Sequence, residues 1–265
     1  MKNILLLVHD DVGQEARLQV ALDLTRAFDA HLTCVDVVQM IYAPDGLYGI
    51  GDNGLLAGER LRESVNQARL RVRLANEAVS WTWIDRIGDL AGCVTRAAGQ
   101  ADLIVVNRAL TQNALDMSAV AAAIAIDTHK PIVAVSDTTR HFDTTGRALI
   151  AWDGSIPAMS ALCAALPLLK LAASVRIVEI ELADDAAPAE EAAEYLSRHG
   201  IHAEIVRLSF NGEHADAVIR RYGVGYDASY CVMGAYGRSR TAEALFGGVT
   251  RRMLETAEFP LVLVH

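Results

Sequence analysis

The sequence predicts an α/β fold built twice, each half a five-stranded parallel sheet flanked by helices. Three observations carry this expectation. Short apolar, β-branched runs alternate with amphipathic stretches of helical spacing, as strands do when crossover helices cover both sheet faces. Landmarks recur in the same order in the two halves. The 265 residues suffice for two domains of ordinary size, and 52% hydrophobic against 22% charged residues leaves apolar surface for real cores.

The duplication rests on matched segments. Lys2-Asn3-Ile4-Leu5-Leu6-Leu7-Val8-His9-Asp10-Asp11 is an apolar run ending in acidic residues, and Arg147-Ala148-Leu149-Ile150-Ala151-Trp152-Asp153-Gly154-Ser155 repeats the plan. Residues 101–107 correspond to 226–234, and 129–135 to 258–264. The first domain is expected over 1–138 and the second over 146–265, joined where Thr, Asp, His and Gly collect without apolar periodicity. In the second half, strands are expected near 147–152, 175–181, 202–208, 228–233 and 260–264, with helices near 156–172, 188–199, 212–222 and 247–256. The first half repeats these elements, except for a long Gly-rich loop over 42–58 before a charged helix near 60–77.

Composition excludes several classes. The longest Ala-rich apolar stretch, 119–126, falls far short of the roughly 20 residues that span a bilayer. The apolar run at 4–8 meets Asp10-Asp11 instead of a cleavage site, so a cytoplasmic protein is expected. A net charge of −9 works against attraction to nucleic acid. Cys34, Cys93, Cys163 and Cys231 are scattered through apolar runs and read as buried free thiols. Eight histidines show no H-E-x-x-H spacing, so no metal site is expected. Gly49-Ile50-Gly51-Asp52-Asn53-Gly54 matches G-x-G-x-x-G literally, but it follows a loop with Pro44 and carries Asp52 where pyrophosphate would lie.

A parallel sheet of this type binds ligands beyond the carboxyl ends of its strands, where strand order reverses. The strongest signal lies there, after the fourth strand of the second half. It reads Met233-Gly234-Ala235-Tyr236-Gly237-Arg238-Ser239-Arg240-Thr241, continuing to Gly247-Gly248-Val249-Thr250. Gly234 and Gly237 permit tight turns and close backbone approach. Gly247 and Gly248 lie where a helix begins, and a helix N-terminus suits phosphate. Arg238, Ser239, Arg240 and Thr241 can add cations and hydroxyls.

This G-x-x-G, nine residues, then G-and-small pattern resembles the ATP-binding motif of the universal stress protein family. Ala151-Trp152-Asp153-Gly154-Ser155 is similar to that family's first-strand signature, and Phe259-Pro260-Leu261-Val262-Leu263-Val264 to its closing strand. The resemblance spans the second half and, more weakly, the first. It implies two tandem Rossmann-like domains of the adenine nucleotide alpha hydrolase-like type, packed as an internal pseudo-dimer through 132–135 and 261–264. Homodimerisation of such chains is compatible with it. It also implies a stress-response regulator holding ATP, AMP or ADP, with Mg²⁺ accompanying ATP. Ala151, Trp152 and Asp153 would line the nucleoside, and Val178 or Ile180 would meet adenine through backbone groups. Met233 and Gly234 would lie on the nucleoside side. Gly237, Arg238, Gly247, Gly248, Val249 and Thr250 would hold the phosphates.

One position departs from the family. Gly248 stands where Ser or Thr is usual, which removes a hydroxyl donor that Thr250 or Ser239 could replace. The first half lacks the motif: Asn107 and Leu110 stand for Gly234 and Gly237, and Ser118-Ala119 for Gly247-Gly248. Nothing is placed as a general base near a phosphate, so binding is expected, not fast catalysis, although slow ATP hydrolysis is compatible. The competing class is a nucleotide-independent module for protein or hydrophobic-ligand interaction.

Overall fold

Ile4, Leu6 and Val8 point to one face of the first strand and Leu5 and Leu7 to the other, and all five are buried. A strand apolar on both faces must lie inside a sheet covered on both sides. The computed structural model describes residues 1–39, 52–110, 116–180, 186–210, 212–235 and 248–265, with the backbone alone at 52–56. The first domain comprises β1 (Asn3–Val8), α1 (Gln14–Phe28), β2 (His31–Gln39), α2 (Asp52–Asn76), β3 (Ser80–Gly88), α3 (Leu90–Ala97), β4 (Leu103–Asn107), α4 (Met117–Thr128) and β5 (Ile132–Val135). The second repeats the series as β6 (Arg147–Trp152), α5 (Ile156–Leu169), β7 (Ser174–Ile180), α6 (Ala189–Arg198), β8 (Ala203–Leu208), α7 (Ala215–Tyr226), β9 (Tyr230–Gly234), α8 (Gly248–Thr256) and β10 (Leu261–Val264).

The two parallel five-stranded sheets form one. Strand order is β3-β2-β1-β4-β5-β10-β9-β6-β7-β8, and the joint is the antiparallel pair β5–β10, with Val133 opposite Val262. This is the pseudo-dimer contact that the closing strands predict. Two core clusters, one on each face, run across the joint: Val133, Val135, Val262 and Val264 belong to one, Ile132, Ala134, Leu261 and Leu263 to the other. The connection between domains is pinned as well. Phe142 is buried and stacks on Tyr230 with centroids 5.3 Å apart, while its N–H donates to Asp23 at 2.9 Å.

Three expectations need correction. The loop placed over 42–58 is helical from Asp52, because Leu55, Leu56 and Ala57 are strong helix formers that offset Gly54 and Gly58 at about 1 kcal/mol each. Residues 40–51 lie outside the described residues. Helix α7 runs on to Tyr226 through Gly223, where any side chain would collide with the Phe259 ring. Packing against that ring sustains a helix that glycine propensity would end. Cys163 is exposed on α5, while Cys34, Cys93 and Cys231 are buried. Among the described residues no helix is long and apolar enough to cross a membrane.

The β5–β10 seam should tolerate no charge. Val262→Asp is expected to cost about 3 kcal/mol or more in urea unfolding, since no cation faces it to offset desolvation. Val224→Asp, at an exposed position of α7, should stay within about 0.5 kcal/mol.

Candidate functional site

In each domain strand order reverses beside the first strand, between β1 and β4 and between β6 and β9. Connections leave to opposite faces at that point, which opens a crevice at the carboxyl ends of the strands. In the second domain Asp153 follows β6 on one side of it, and Gly234 and Ala235 end β9 on the other.

Ala151 and Met233 are register partners across the switch point, and both are buried with Val178 in one core cluster. Trp152 is buried, and its indole N–H donates to the Ala187 carbonyl at 2.8 Å. Gly154 adopts φ +67°, and a Cβ there would meet Ala187 backbone at 2.5–2.6 Å. Residues 186–187 thus lie against the turn that presents Asp153. Asp153 itself is exposed, and its Oδ1 accepts from the Ser155 N–H at 3.0 Å. Ser155 caps α5 by accepting from the Ala158 N–H at 3.3 Å.

Gly234 has a packing reason for lacking a side chain. A Cβ there would lie 2.6 Å from the Ala158 nitrogen and 2.7 Å from the Pro157 carbonyl carbon, in the first turn of α5. Helix α8 opens on exposed Gly248, with Val249 half-buried and Thr250 buried. Thr250 is therefore poorly placed to replace a missing hydroxyl at the surface. Gly237, Arg238, Gly247, Ser239 and Tyr236 lie outside the described residues.

Arg252 is the residue that sequence reasoning missed. Its Nη1 sits 2.8 Å from the place a Cβ at position 248 would take, and its Nε donates to buried Asp216. The i, i+4 spacing of Gly248 and Arg252 on one helix face was the available signal. From the other domain, Arg108 Nη1 donates to the Leu254 and Glu255 carbonyls at 3.1 and 3.2 Å, capping the far end of α8.

Residues 144–265 match the model of the universal stress protein family. This half of the chain is a universal stress protein domain. A universal stress protein from Archaeoglobus fulgidus superposes with a TM-score of 0.77 at 15% identity, covering 99% of this chain and 97% of that one. A functionally unknown protein from Pseudomonas aeruginosa gives 0.62 at 16% identity, covering 100% and 92%. At these identities the likeness is one of fold, and it extends over both halves. No curated protein matches the sequence.

The first domain shares the fold of the universal stress protein domain but closes its crevice with its own side chains. Asn107 stands at the register position of Gly234, since β1 pairs β4 as β6 pairs β9. Its side chain occupies the space that Gly13 leaves free. Arg17, fully buried, donates to Asn107 Oδ1, to both oxygens of Asp11 at 2.9 Å, and to the Leu7 and His9 carbonyls at 3.0 Å. At α4, Asp116 accepts from the Ala119 N–H at 3.1 Å, so a carboxylate already occupies that helix N-terminus. The expectation of a first half without the nucleotide apparatus thus acquires a steric and electrostatic reason.

Above β1 and β2, helix α2 lays buried Glu63 against buried His9, with Oε1 2.7 Å from Nδ1. Burial alone would depress His9, but the Glu63 hydrogen bond and charge, with Asp11 beyond, raise it above 6.5. Burial likewise opposes ionisation of Glu63, yet the His9 and Asp10 hydrogen bonds hold it below 4.5. Asp36 is pushed up to about 7 by burial and by the Glu63 and Asp85 charges.

Two predictions follow from these contacts. Gly234→Ala should cost roughly 1–3 kcal/mol by overpacking α5. Gly225→Ala, with open space on α7, should be neutral or stabilising in the same denaturation series. The second concerns pH. Between 3.8 and about 7 the folded chain keeps a proton on Asp36 that the unfolded chain has released. That carboxyl therefore costs stability as pH rises through this window. The raised His9 acts in the same sense, its ion pair being fully present below 6.5 and lost as pH rises through its folded value. Glu63 acts oppositely, its contribution being in place above 4.5 and lost on acidification. Asp36→Asn should accordingly stabilise the protein more at pH 8 than at pH 5, by on the order of 1–3 kcal/mol in unfolding midpoints. Equal shifts at the two pH values would refute this assignment.

Proposed function

We propose that the second domain binds an adenine nucleotide, ATP with its Mg²⁺ or AMP or ADP, in the crevice between β6 and β9. The protein then acts as a stress-response regulator by holding that ligand. The observation that carries this reading is the start of α8. It opens on exposed Gly248 with the Arg252 guanidinium folded back over its first turn, whereas α4 is closed by Asp116. Unpaired N–H groups, the positive end of the helix and a cation together suit phosphate. Asp153 would then serve the ribose or adenine, and Gly237, Arg238 and Gly247 the phosphates. The role is binding rather than turnover, since the described residues place no general base for an attacking water. Location in the cytoplasm accords with this role.

Calorimetry should give one ATP per chain. Gly237→Leu should abolish binding, and Leu110→Gly should leave it unchanged. Gly248→Ser is the sharper test. Among the described residues a serine Cβ there meets the end of the Arg252 side chain, which must shift slightly, so the fold should accept it. A restored hydroxyl–phosphate bond contributes about 1.5–3 kcal/mol, so ATP affinity should rise roughly 10- to 100-fold. AMP affinity should rise less. An unchanged ATP-to-AMP ratio would refute the placement of Gly248 on the phosphate side.

A second reading has its own support. Helix α2 exposes Leu61, Val65 and Val72, each more than 60% accessible, as an apolar stripe. This favours a nucleotide-independent module that recruits a protein or a hydrophobic ligand. No thermal shift from ATP, with Leu61→Ser abolishing recruitment, would support it over nucleotide binding.

A further inference from the structure

We propose that the first domain holds a divalent transition-metal ion between His9, Glu59 and Glu63, with the buried Asp36 carboxyl behind Glu63. His9 follows β1 directly, and Asp36 lies beside the end of β1 in the neighbouring strand, opposite Val8. Glu59 and Glu63 are one turn apart on α2, so both face the strand ends. His9, Glu59 and Glu63 each offer a ligand atom, and these atoms lie within 4.8 Å of one another. Donors at about 2.0–2.2 Å in a tetrahedral shell lie roughly 3.3–3.6 Å apart, so closing around an ion draws the most distant pair together by up to about 1.5 Å, within reach of glutamate side-chain rotation.

Asp36 shows that the cluster is short of positive charge. It is only 5% exposed, its carboxyl lies against Glu63, and its Oδ1 has no hydrogen-bond partner among the described residues. A buried carboxylate oxygen without a partner is costly, and native structures rarely keep one without an ion, a water or a function. The second domain shows what this position ordinarily requires. Glu179 holds the same register place, opposite Trp152 as Asp36 is opposite Val8. There it accepts from Arg207 Nε and from the Ala189 N–H, both at 2.8 Å. Arg207 is its partner in the next strand, and the corresponding partner of Asp36 is Asp85. The first domain has exchanged the cation for a further carboxylate and set His9 and two glutamates above it.

The donor set indicates the ion. An imidazole among carboxylates suits Zn²⁺ or Mn²⁺ better than the all-oxygen shells of Ca²⁺ or Mg²⁺. Glu59 is paired with half-exposed Arg62 at 2.7 Å, a contact a metal would have to release. The site is separate from the proposed nucleotide crevice and lies in the other domain.

The test uses the full chain, stripped with a chelator and free of nucleotide. Zn²⁺ and Mn²⁺ are titrated by calorimetry, and metal content is measured after dialysis. One ion per chain is expected, with thermal unfolding shifted upward by metal. Glu59→Gln and Asp36→Asn should each weaken binding by roughly 10- to 100-fold or more. Glu59→Gln is isosteric and Glu59 is less buried than His9 and Glu63, so that variant should fold even if Asp36→Asn repacks, and circular dichroism checks both. Mg²⁺ at the same concentration should not compete. Absence of saturable binding of either ion, or binding that survives both substitutions, would overturn the proposal. Loss of ATP binding through Gly237→Leu should leave the metal isotherm unchanged.

Discussion

The antiparallel ladder between β5 and β10 is the contact on which the other features depend. Each domain ends on its most apolar strand, Ile132–Val135 or Leu261–Val264, and all eight of these residues are buried. A lone domain would present that strand as an unpaired, hydrophobic edge, the kind that invites association with another chain. Here the other half of the same chain covers it. Burying a Val or Leu contributes on the order of 1.5–3 kcal/mol, and both faces of the ladder feed cores that cross the joint. The same joint brings Arg108 to the carboxyl end of α8, where a guanidinium satisfies carbonyls that the helix leaves unpaired. The element proposed to meet phosphate is thus braced from behind by the first domain.

Within this frame the two domains share one topology and fill its crevice differently. The crevice at a strand-order reversal is a property of the fold. What occupies it is decided by a handful of positions. Asn107 with Arg17 fills it in the first domain, and the Arg17–Asp11 pair is buried so deeply that removing either partner would strand a charge. Gly234 lets the α5 backbone close up in the second domain, and the helix that follows opens on exposed Gly248. The polar cluster of the first domain lies sideways, above β1 and β2, where α2 sets Glu63 against His9, whereas Glu190 of α6 pairs with Arg207.

The fold was legible because its signals are local and periodic. Runs such as 4–8 and 147–152 are apolar on both faces, and Ser155 with Pro157 marks the start of α5. Their order, repeated twice, is enough to imply a duplicated parallel sheet, and the motif from Gly234 to Thr250 carries the family by spacing alone. Boundaries were less legible where packing overrode propensity, as at Gly223 against Phe259 and in the first turns of α2.

By itself, the sequence determined the architecture, the pairing of the closing strands and the asymmetry between a motif-bearing second half and a first half without it. Only the tertiary structure decided what the individual side chains do. It assigned Gly234 to the approach of α5, buried Thr250, and turned Arg252 back toward Gly248. It also gathered His9, Glu59 and Glu63 from the end of β1 and a helix, with Asp36 of β2 beside them. No linear spacing encodes that gathering, because the donors are brought together by strand register and by the docking of α2. Whether Asp36 faces a cation or another carboxylate depends on its neighbour across the sheet, Asp85, almost fifty residues further along the chain.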